Sequence, residues 1–364
     1  MESQQNKISL LQIFLFIVQT QVGVGILSLP HDLHMKAKGG AWISVFVAGI
    51  VIQLILLIYW LLLKRFPKKT VFEITIKTTG LYIGGIVIVL YSCYFILVGG
   101  TAIRLTCDVL KRWMLQSTPT WAVVILIIIT SIYLARENSR TIARYNVLLS
   151  ILIIPMFFLI LYGVFRADFS YPFPIFEAGW INIIKSAKEA SISMYGFEII
   201  LILFPLVIGS NKSILKTITY ANWFVTIFFA FIVFTCLVVF SPAQLEIVGE
   251  PVVYLLRSLN FGVVSRIDLI FLPIWMTTAI ASIVSYLYFS ANGIKYILRK
   301  SNHKNIIPFV AITCSIISLL PQTPNQLEFL MKVVDYSSYV FLGAIPVLLL
   351  LISFLFFDKE GGLK

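Results

Sequence analysis

The sequence contains very little charge. Only 12% of its 364 residues are Asp, Glu, Lys or Arg, against roughly 25% in an ordinary soluble domain. Hydrophobic residues make up 59% of the chain. This composition excludes a soluble globular protein and a disordered one, and it predicts a protein that crosses a membrane many times. Ten spans of about 20 residues would use about 200 residues, which leaves no room for a soluble catalytic domain.

Residues that build metal sites and disulfide frameworks are also scarce. The chain has three histidines and four cysteines, and the cysteines are scattered in apolar runs without C-x-x-C spacing. We interpret them as small buried hydrophobic residues. The sequence offers no nucleotide loop and no nucleophile–base pair, so we expect neither a cofactor nor an enzyme. The cysteines are Cys93, Cys107, Cys236 and Cys314.

Ten apolar runs can be recognised, and they predict an all-α polytopic membrane protein with ten transmembrane helices. We treat residues 1–364 as a single integral membrane domain. The first run carries several glutamines and no cleavage site follows it, so we interpret it as a helix rather than a signal peptide. The runs are 8–29, 41–63, 82–106, 120–135, 145–165, 189–208, 218–240, 267–290, 306–320 and 336–357.

The net charge of +12 is explained by the predicted topology. Seventeen of the 28 Lys and Arg residues fall on the side that holds both termini, and most acidic residues fall on or near the other side. The positive-inside rule therefore places the N- and C-termini in the cytoplasm. With the charge accounted for in this way, we expect the lipid bilayer as a partner and no nucleic acid.

The first span carries a pattern typical of an interrupted helix. Gln19, Gly23 and Pro30 lie on one helical face, and Gly25 follows Gly23 after one residue. Each glycine weakens a helix by about 1 kcal/mol relative to alanine. The pattern predicts free backbone groups near Gly23–Gly25, although tight helix packing by small residues would give the same pattern.

The sixth span contains Glu198, the one carboxylate that we place well inside a span. An ionisable side chain at that depth is a candidate for function, and the alternative is a structural carboxyl that holds neighbouring helices. Gly196 beside it permits a second break. In the eighth span, Thr278, Ser282 and Ser285 share one face. Their hydroxyls would either line a path or bond the carbonyl one turn back.

The ten runs form two five-helix halves, 8–165 and 189–357. The predicted breaks lie in the first span of each half, which are the first and sixth spans of the chain. Both glycine breaks are followed by an apolar run and a proline. Interrupted helices at matching places in two halves are typical of the central binding site of a transporter.

Three segments carry a resemblance to a known family. They are VGVGILSLP at 22–30, SMYGFEIIL at 193–201 and YFSANGIK at 288–295. The chain resembles the B subunits of bacterial spore germinant receptors, which belong to the amino acid–polyamine–organocation superfamily. The resemblance implies a five-plus-five inverted repeat with discontinuous first and sixth helices. It also implies nutrient sensing in the spore inner membrane, with a receptor A subunit and a C lipoprotein subunit as partners.

Two functions remain open at this stage. In a receptor, a small germinant such as an amino acid would bind at the bundle centre and signal through the partner subunits. In an ion-coupled amino acid transporter of the same fold, Glu198 would carry a proton and a hydroxyl-lined path would carry a cation. The predicted ligand-binding residues are Gly23, Val24, Gly25, Val98, Thr101, Tyr195, Gly196, Phe197, Glu198 and Thr278, and the predicted ion-path residues are Gln19, Ser282 and Ser285.

Overall fold

The structure is a computed structural model that describes residues 7–259, 266–300 and 302–356. Within these ranges the chain forms helices joined by turns, and no strand is present beyond one isolated bridge between Ile8 and Val207. The all-α prediction is confirmed. Both chain ends, which we predict to be cytoplasmic, and residue 357 of the tenth predicted run lie outside the described residues.

The helices accommodate the ten predicted runs. Six helical segments of the described chain are long and apolar enough to cross a membrane, and a bent pair, Trp180–Ser193 with Phe197–Leu206, is a further candidate. Three apolar helices are shorter: Leu10–Gln21, Thr120–Ala135 and Ile307–Leu319. The long segments are Leu29–Leu63, Val71–Trp113, Ser139–Arg166, Asn211–Val239, Asp268–Ile297 and Pro324–Leu355. The structure is therefore compatible with ten spans.

Several spans are composed of more than one helix. The long segment Leu29–Leu63 comprises the helices Leu29–Ala37 and Ala41–Leu63. The fifth span comprises Ser139–Ser150 and Ile153–Gly163. The tenth span comprises Pro324–Ser338, a π-helical turn at Tyr339–Ala344, and Ile345–Phe356. Two short helices, Pro242–Ile247 and Pro251–Ser258, precede the eighth span.

Several helices begin well before the apolar runs that predict them. A capping box of Thr70 and Glu73 begins a helix at Val71, but the backbone is non-helical at Gly80 (φ 81°, ψ 174°), so this first helix precedes the third span, which begins after Gly80 and close to the predicted residue 82. The tenth span begins at Pro324 rather than 336, where Thr323 and Gln326 form another capping box. Such caps satisfy the free N–H groups of a first helical turn, so a polar stretch can be helical ahead of the apolar run.

The predicted breaks in the first and sixth spans are confirmed. The first span stops at Gln21, passes through a 3-10 turn at Val24–Ile26 and resumes at Leu29–Ala37. The two parts of the sixth span are bent by 55°. The prolines after the breaks differ in role, however. Pro30 lies in the first turn of a new helix, whereas Pro205 lies in the 3-10 turn that ends its span.

Corresponding spans of the two predicted halves pack against each other. The second packs against the seventh, the third against the eighth, and the second part of the first against the first part of the sixth. The N–H of Ile8 donates to the carbonyl of Leu206 at 2.9 Å, which ties the start of the first span to the end of the sixth. The division into halves at 8–165 and 189–357 stays a prediction.

The side chains of the third span include one ion pair and two cysteines. Arg104 and Asp108, four residues apart, form the ion pair at 2.9 Å. Among the four cysteines, all of them free, Cys107, Cys236 and Cys314 are buried as predicted. The prediction was wrong for Cys93, which is exposed on the surface of the bundle, because its side of the third span faces outward.

The contact between the third and ninth spans gives a test of the fold. A Cβ atom on Gly100 would lie 2.7 Å from Cγ2 of Ile317 and 3.0 Å from the carbonyl oxygen of Cys314. Overpacking of this kind costs about 1–3 kcal/mol, so we expect Gly100→Ala to lower the apparent Tm of the purified protein in detergent. The control is Gly85→Ala in the same helix, where nothing lies within 4 Å of the added atom. Equal thermal stability of the two variants would contradict this packing.

Candidate functional site: two facing helix breaks

The breaks of the first and sixth spans contact each other directly. Gly196 has a φ of 122°, and a Cβ atom there would lie 2.8 Å from the carbonyl carbon of Thr20. A Cβ atom on Gly25 would lie 2.8 Å from Oγ of Ser193. The side-chain amide of Gln21 donates to the carbonyl of Met194 at 2.8 Å. The two readings of the glycine pattern are therefore both correct, since the helix is interrupted and the glycines permit close packing.

The eighth span satisfies backbone groups that the first break releases. Oγ of Ser282 donates to the carbonyl of Thr20 at 2.8 Å, and Nε1 of Trp275 lies 3.3 Å from the carbonyl oxygen of Gly23, to which it donates. Oγ of Ser285 lies 3.2 Å from Oγ1 of Thr20. The structure thus brings two of the three predicted ion-path residues to the break. Buried carbonyls without such donors would be costly.

Glu198 is fully buried, and both of its oxygens are engaged. Oε2 accepts from the backbone N–H of Gly196 at 2.8 Å, and Oε1 accepts from the hydroxyl of Tyr286 at 3.0 Å. The carboxylate therefore holds the sixth-span turn and links it to the eighth span. This geometry matches the structural alternative that the sequence left open.

Aromatic side chains surround this turn. Tyr59 stacks on Phe197 with ring centroids 6.0 Å apart, and Tyr94 stacks on Phe341 at 5.0 Å. The hydroxyl of Tyr59 donates to the carbonyl of Leu342 at 2.7 Å. Phe341 and Leu342 belong to the π-helical turn of the tenth span, and a turn of this kind is frequent at functional sites.

The remaining predicted residues are buried nearby in the bundle. The hydroxyls of Thr101 and Thr278 donate to carbonyls of their own helices, at 2.9 Å and 2.7 Å, which is the local alternative considered from the sequence. Val98 is buried beside them on the third span. Gln19 is fully buried, and neither atom of its amide has a hydrogen-bond partner among the described residues.

The site is partly exposed at its glycine-rich edge. Val24, Gly25, Ser193 and Tyr195 are partly exposed, whereas Glu198 has no exposed surface. Leu29–Ala37 and Trp180–Ser193 flank this edge, and both lie toward the end of the bundle that we predict to be outer. At this edge the 3-10 turn that leads into the positive N-terminal end of Leu29–Ala37 meets the negative C-terminal end of Trp180–Ser193.

Sequence reasoning missed several residues of the site. Trp275 lies three residues before Thr278 and so extends the predicted polar face of the eighth span by one turn, which made it recognisable. No sequence pattern indicated Tyr286 or the π-helical turn of the tenth span. Tyr195 contacts Ser338 of the tenth span through their hydroxyls, and no spacing rule connects residues so far apart.

Comparisons with known proteins agree over nearly the whole chain. A family model described as "Spore germination protein" matches residues 7–327. "Spore germination protein GerQB" of Bacillus cereus is 25% identical over 352 residues, which cover 95% of this chain and 96% of the relative. "Spore germination protein A2" of Bacillus subtilis is 27% identical, with 96% of this chain and 94% of the relative covered.

Solved structures share the fold at low sequence identity. The chain is similar to MhsT in complex with L-phenylalanine, with a TM-score of 0.68 and 15% identity over 94% of this chain and 88% of that one. It is also similar to a substrate-bound Na+-coupled sialic acid symporter, with a TM-score of 0.63 and 14% identity over 96% and 79% of the two chains. These likenesses establish a transporter fold.

The bond from Ser282 to the first break can be tested by a serine pair. Ser282→Ala leaves the carbonyl of Thr20 without this donor, which costs about 1–3 kcal/mol when the group is buried. Ser290 lies in the same helix, is fully buried and donates to carbonyls of its own helix. We expect the apparent Tm to fall clearly in Ser282→Ala and little in Ser290→Ala. A similar fall of the apparent Tm in both variants would show that the hydrogen bond from Ser282 to the first break adds no stability of its own.

Proposed function

Because the chain belongs to the spore germination protein family, we propose that it is the nutrient-sensing membrane subunit of a germinant receptor. It would lie in the spore inner membrane with both termini in the cytoplasm. It would bind a small germinant, an amino acid, at the partly exposed edge of the two helix breaks and signal through a receptor A subunit and a C lipoprotein subunit. The relatives are germination proteins and the fold neighbours are transporters, so we propose no enzymatic activity.

One observation carries the proposal: two helix ends of opposite polarity meet at a partly exposed edge. The 3-10 turn Val24–Ile26 leads into the N-terminal end of the helix that begins at Leu29, which favours an anionic group, and the C-terminal end at Ser193 favours a cationic one. A free amino acid carries both charges a short distance apart. The fold neighbour that binds L-phenylalanine supports the same class of ligand.

The geometry assigns different tasks to the predicted residues. The carboxylate of the ligand would bind backbone N–H groups near Val24 and Gly25, because the N–H of Gly23 already donates to the carbonyl of Gln21 at 2.8 Å. The ammonium would bind backbone carbonyls near Tyr195 other than that of Met194, which accepts from Gln21. Glu198 would act indirectly, because both of its oxygens already hold Gly196 and Tyr286, and it would fix the turn rather than touch the ligand.

Binding at this edge can be tested with Val24, whose side chain is partly exposed there. The purified chain is mixed in turn with amino acids, nucleosides and sugars, and its apparent Tm is measured. We expect the apparent Tm to rise with compounds of one class, since a ligand that binds the folded state stabilises that state. Val24→Phe should narrow the edge and require at least about tenfold more ligand for the same shift. Leu11→Phe is the control, because Leu11 is 62% exposed on the outside of the same span. A wild-type response from Val24→Phe would overturn this placement of the ligand.

A transporter is the alternative, and the oxygen atoms around the first break favour it. The carbonyls of Thr20 and Gly23 and the hydroxyls of Ser282 and Ser285 lie together, and oxygen ligands suit hard cations. One fold neighbour is a Na+-coupled symporter. In a transporter, these four oxygen atoms would bind the coupling cation.

Uptake by the isolated chain distinguishes the two functions. For a receptor we expect ligand binding in proteoliposomes without accumulation of labelled amino acid, and loss of the nutrient response in spores that carry Val24→Phe. For a transporter, accumulation would follow an imposed Na+ or proton gradient. If Glu198 carried a proton, Glu198→Gln would abolish gradient-driven uptake and retain exchange. Gradient-driven uptake by the wild-type chain alone would refute the receptor reading.

A further inference from the structure

A polar cavity lies away from the helix breaks, at the predicted outer end of the third and eighth spans. It has a volume of about 430 Å³. Three arginines from separate parts of the chain line it: Arg112 at the end of the third span, Arg257 in the short helix before the eighth span, and Arg266 immediately ahead of the eighth span. The same cavity is lined by Gln116, Ser117 and Thr118.

Buried carboxylates hold two of these arginines from the protein side. Arg266 donates through Nε and Nη2 to the two oxygens of Asp268, at 2.9 Å and 2.7 Å, and the side chain of Asp268 has no exposed surface. Arg112 pairs through Nη1 with Glu250, whose side chain is 10% exposed. A guanidinium has five N–H donors, so each of these arginines retains donors beyond its ion pair. The carboxylates therefore orient the guanidinium groups and leave some of their N–H donors available for a ligand.

The third arginine makes no ion pair with the described residues. Arg257 is exposed and lies over the ring of Trp113, with its guanidinium carbon 5.7 Å from the ring centroid. The neighbouring Lys111 donates to Oγ1 of Thr120 at 2.7 Å. Among the described groups, three guanidinium charges thus face two carboxylates, and the cavity carries an excess of positive charge.

We propose that this cavity binds a phosphate group. Donors converge on it from three segments of the chain, which suits a tetrahedral oxyanion, whereas a planar carboxylate is satisfied by a single guanidinium fork. The hydroxyls of Ser117 and Thr118 add neutral donors to the same lining.

Two sources could supply the phosphate group: a soluble phosphate compound or the headgroup of an anionic phospholipid. The position of the cavity at a membrane face admits both. An apolar groove between the fifth and eighth spans, lined by Phe158, Phe165, Ile270 and Ile274, begins one helical turn after Arg266 along the eighth span. A lipid chain would find apolar surface there.

Binding of soluble phosphate is tested first, with the full chain in a neutral detergent. Inorganic phosphate is titrated against chloride at constant ionic strength and pH while the apparent Tm is followed. We expect a saturable rise, because a ligand of the folded state stabilises it. Arg257→Gln removes a charged donor and should raise the half-saturating concentration about tenfold or more.

Two further variants make this test specific. Lys185→Gln removes one exposed positive charge on the same predicted outer side but outside the cavity, and it should respond like the wild type. Arg257→Lys keeps the positive charge but lacks the forked guanidinium group. Its half-saturating phosphate concentration should lie between those of the wild type and Arg257→Gln. Because Arg257 holds no buried carboxylate, all variants should have the same Tm in chloride alone. A weakening of equal size in Lys185→Gln would show an unspecific charge effect and overturn the proposal.

The lipid source is tested in nanodiscs of phosphatidylcholine with or without phosphatidylglycerol. Greater stability with phosphatidylglycerol that is lost in Arg257→Gln and retained in Lys185→Gln identifies a lipid headgroup as the ligand. A specific response to inorganic phosphate alone identifies a soluble compound. If neither condition distinguishes Arg257→Gln from the wild type, the cavity does not bind phosphate and the proposal is refuted.

Discussion

A backbone carbonyl inside a membrane has no water to bond with, and this constraint governs the structure around the two helix breaks. An intact helix satisfies its own backbone groups, but a broken one exposes several of them. The eighth span supplies side chains that replace the lost bonds, with Ser282 on the carbonyl of Thr20 and Trp275 on that of Gly23. A third helix therefore stabilises the first break.

The same constraint explains how a nearly uncharged bundle accommodates a carboxylate. Glu198 accepts from the N–H of Gly196, which the positive φ of that residue directs toward it, and from the hydroxyl of Tyr286. A buried charge with fewer partners would be expensive. The scarcity of charge drew attention to Glu198 in the sequence, and the structure assigns it to holding the break. Its burial thus indicates where the fold is held most firmly and does not by itself indicate ligand contact.

Sequence reasoning was most successful where one chemical rule dominates. Apolar length predicted ten runs with which the described helices are compatible, and glycines inside two of the runs predicted both breaks, because bilayer thickness and helix propensity act locally. Helix ends were predicted less well, since a capping box such as that at Thr323 extends a helix into polar sequence. In the site, the spacing of Ser282 and Ser285 revealed their shared face but not their partner. Contacts such as Tyr195 with Ser338 depend on how the spans pack, which no local pattern encodes.

The close fit of the breaks bears on how binding at this edge would be transmitted. Gly25 lies against Ser193, Gly196 lies against Thr20, and Gln21 bonds the carbonyl of Met194, so the first span cannot move alone. A displacement of the first part of the sixth span would also disturb the contact of Tyr195 with the tenth span. A ligand shifts such an arrangement only if it binds one state more tightly than another. A ligand held between the two helix ends would do so, because its contacts exist only while both ends are in place. The tenth span, which contacts the sixth through Tyr195 and Ser338, is therefore one element through which a change at the edge would reach the rest of the bundle.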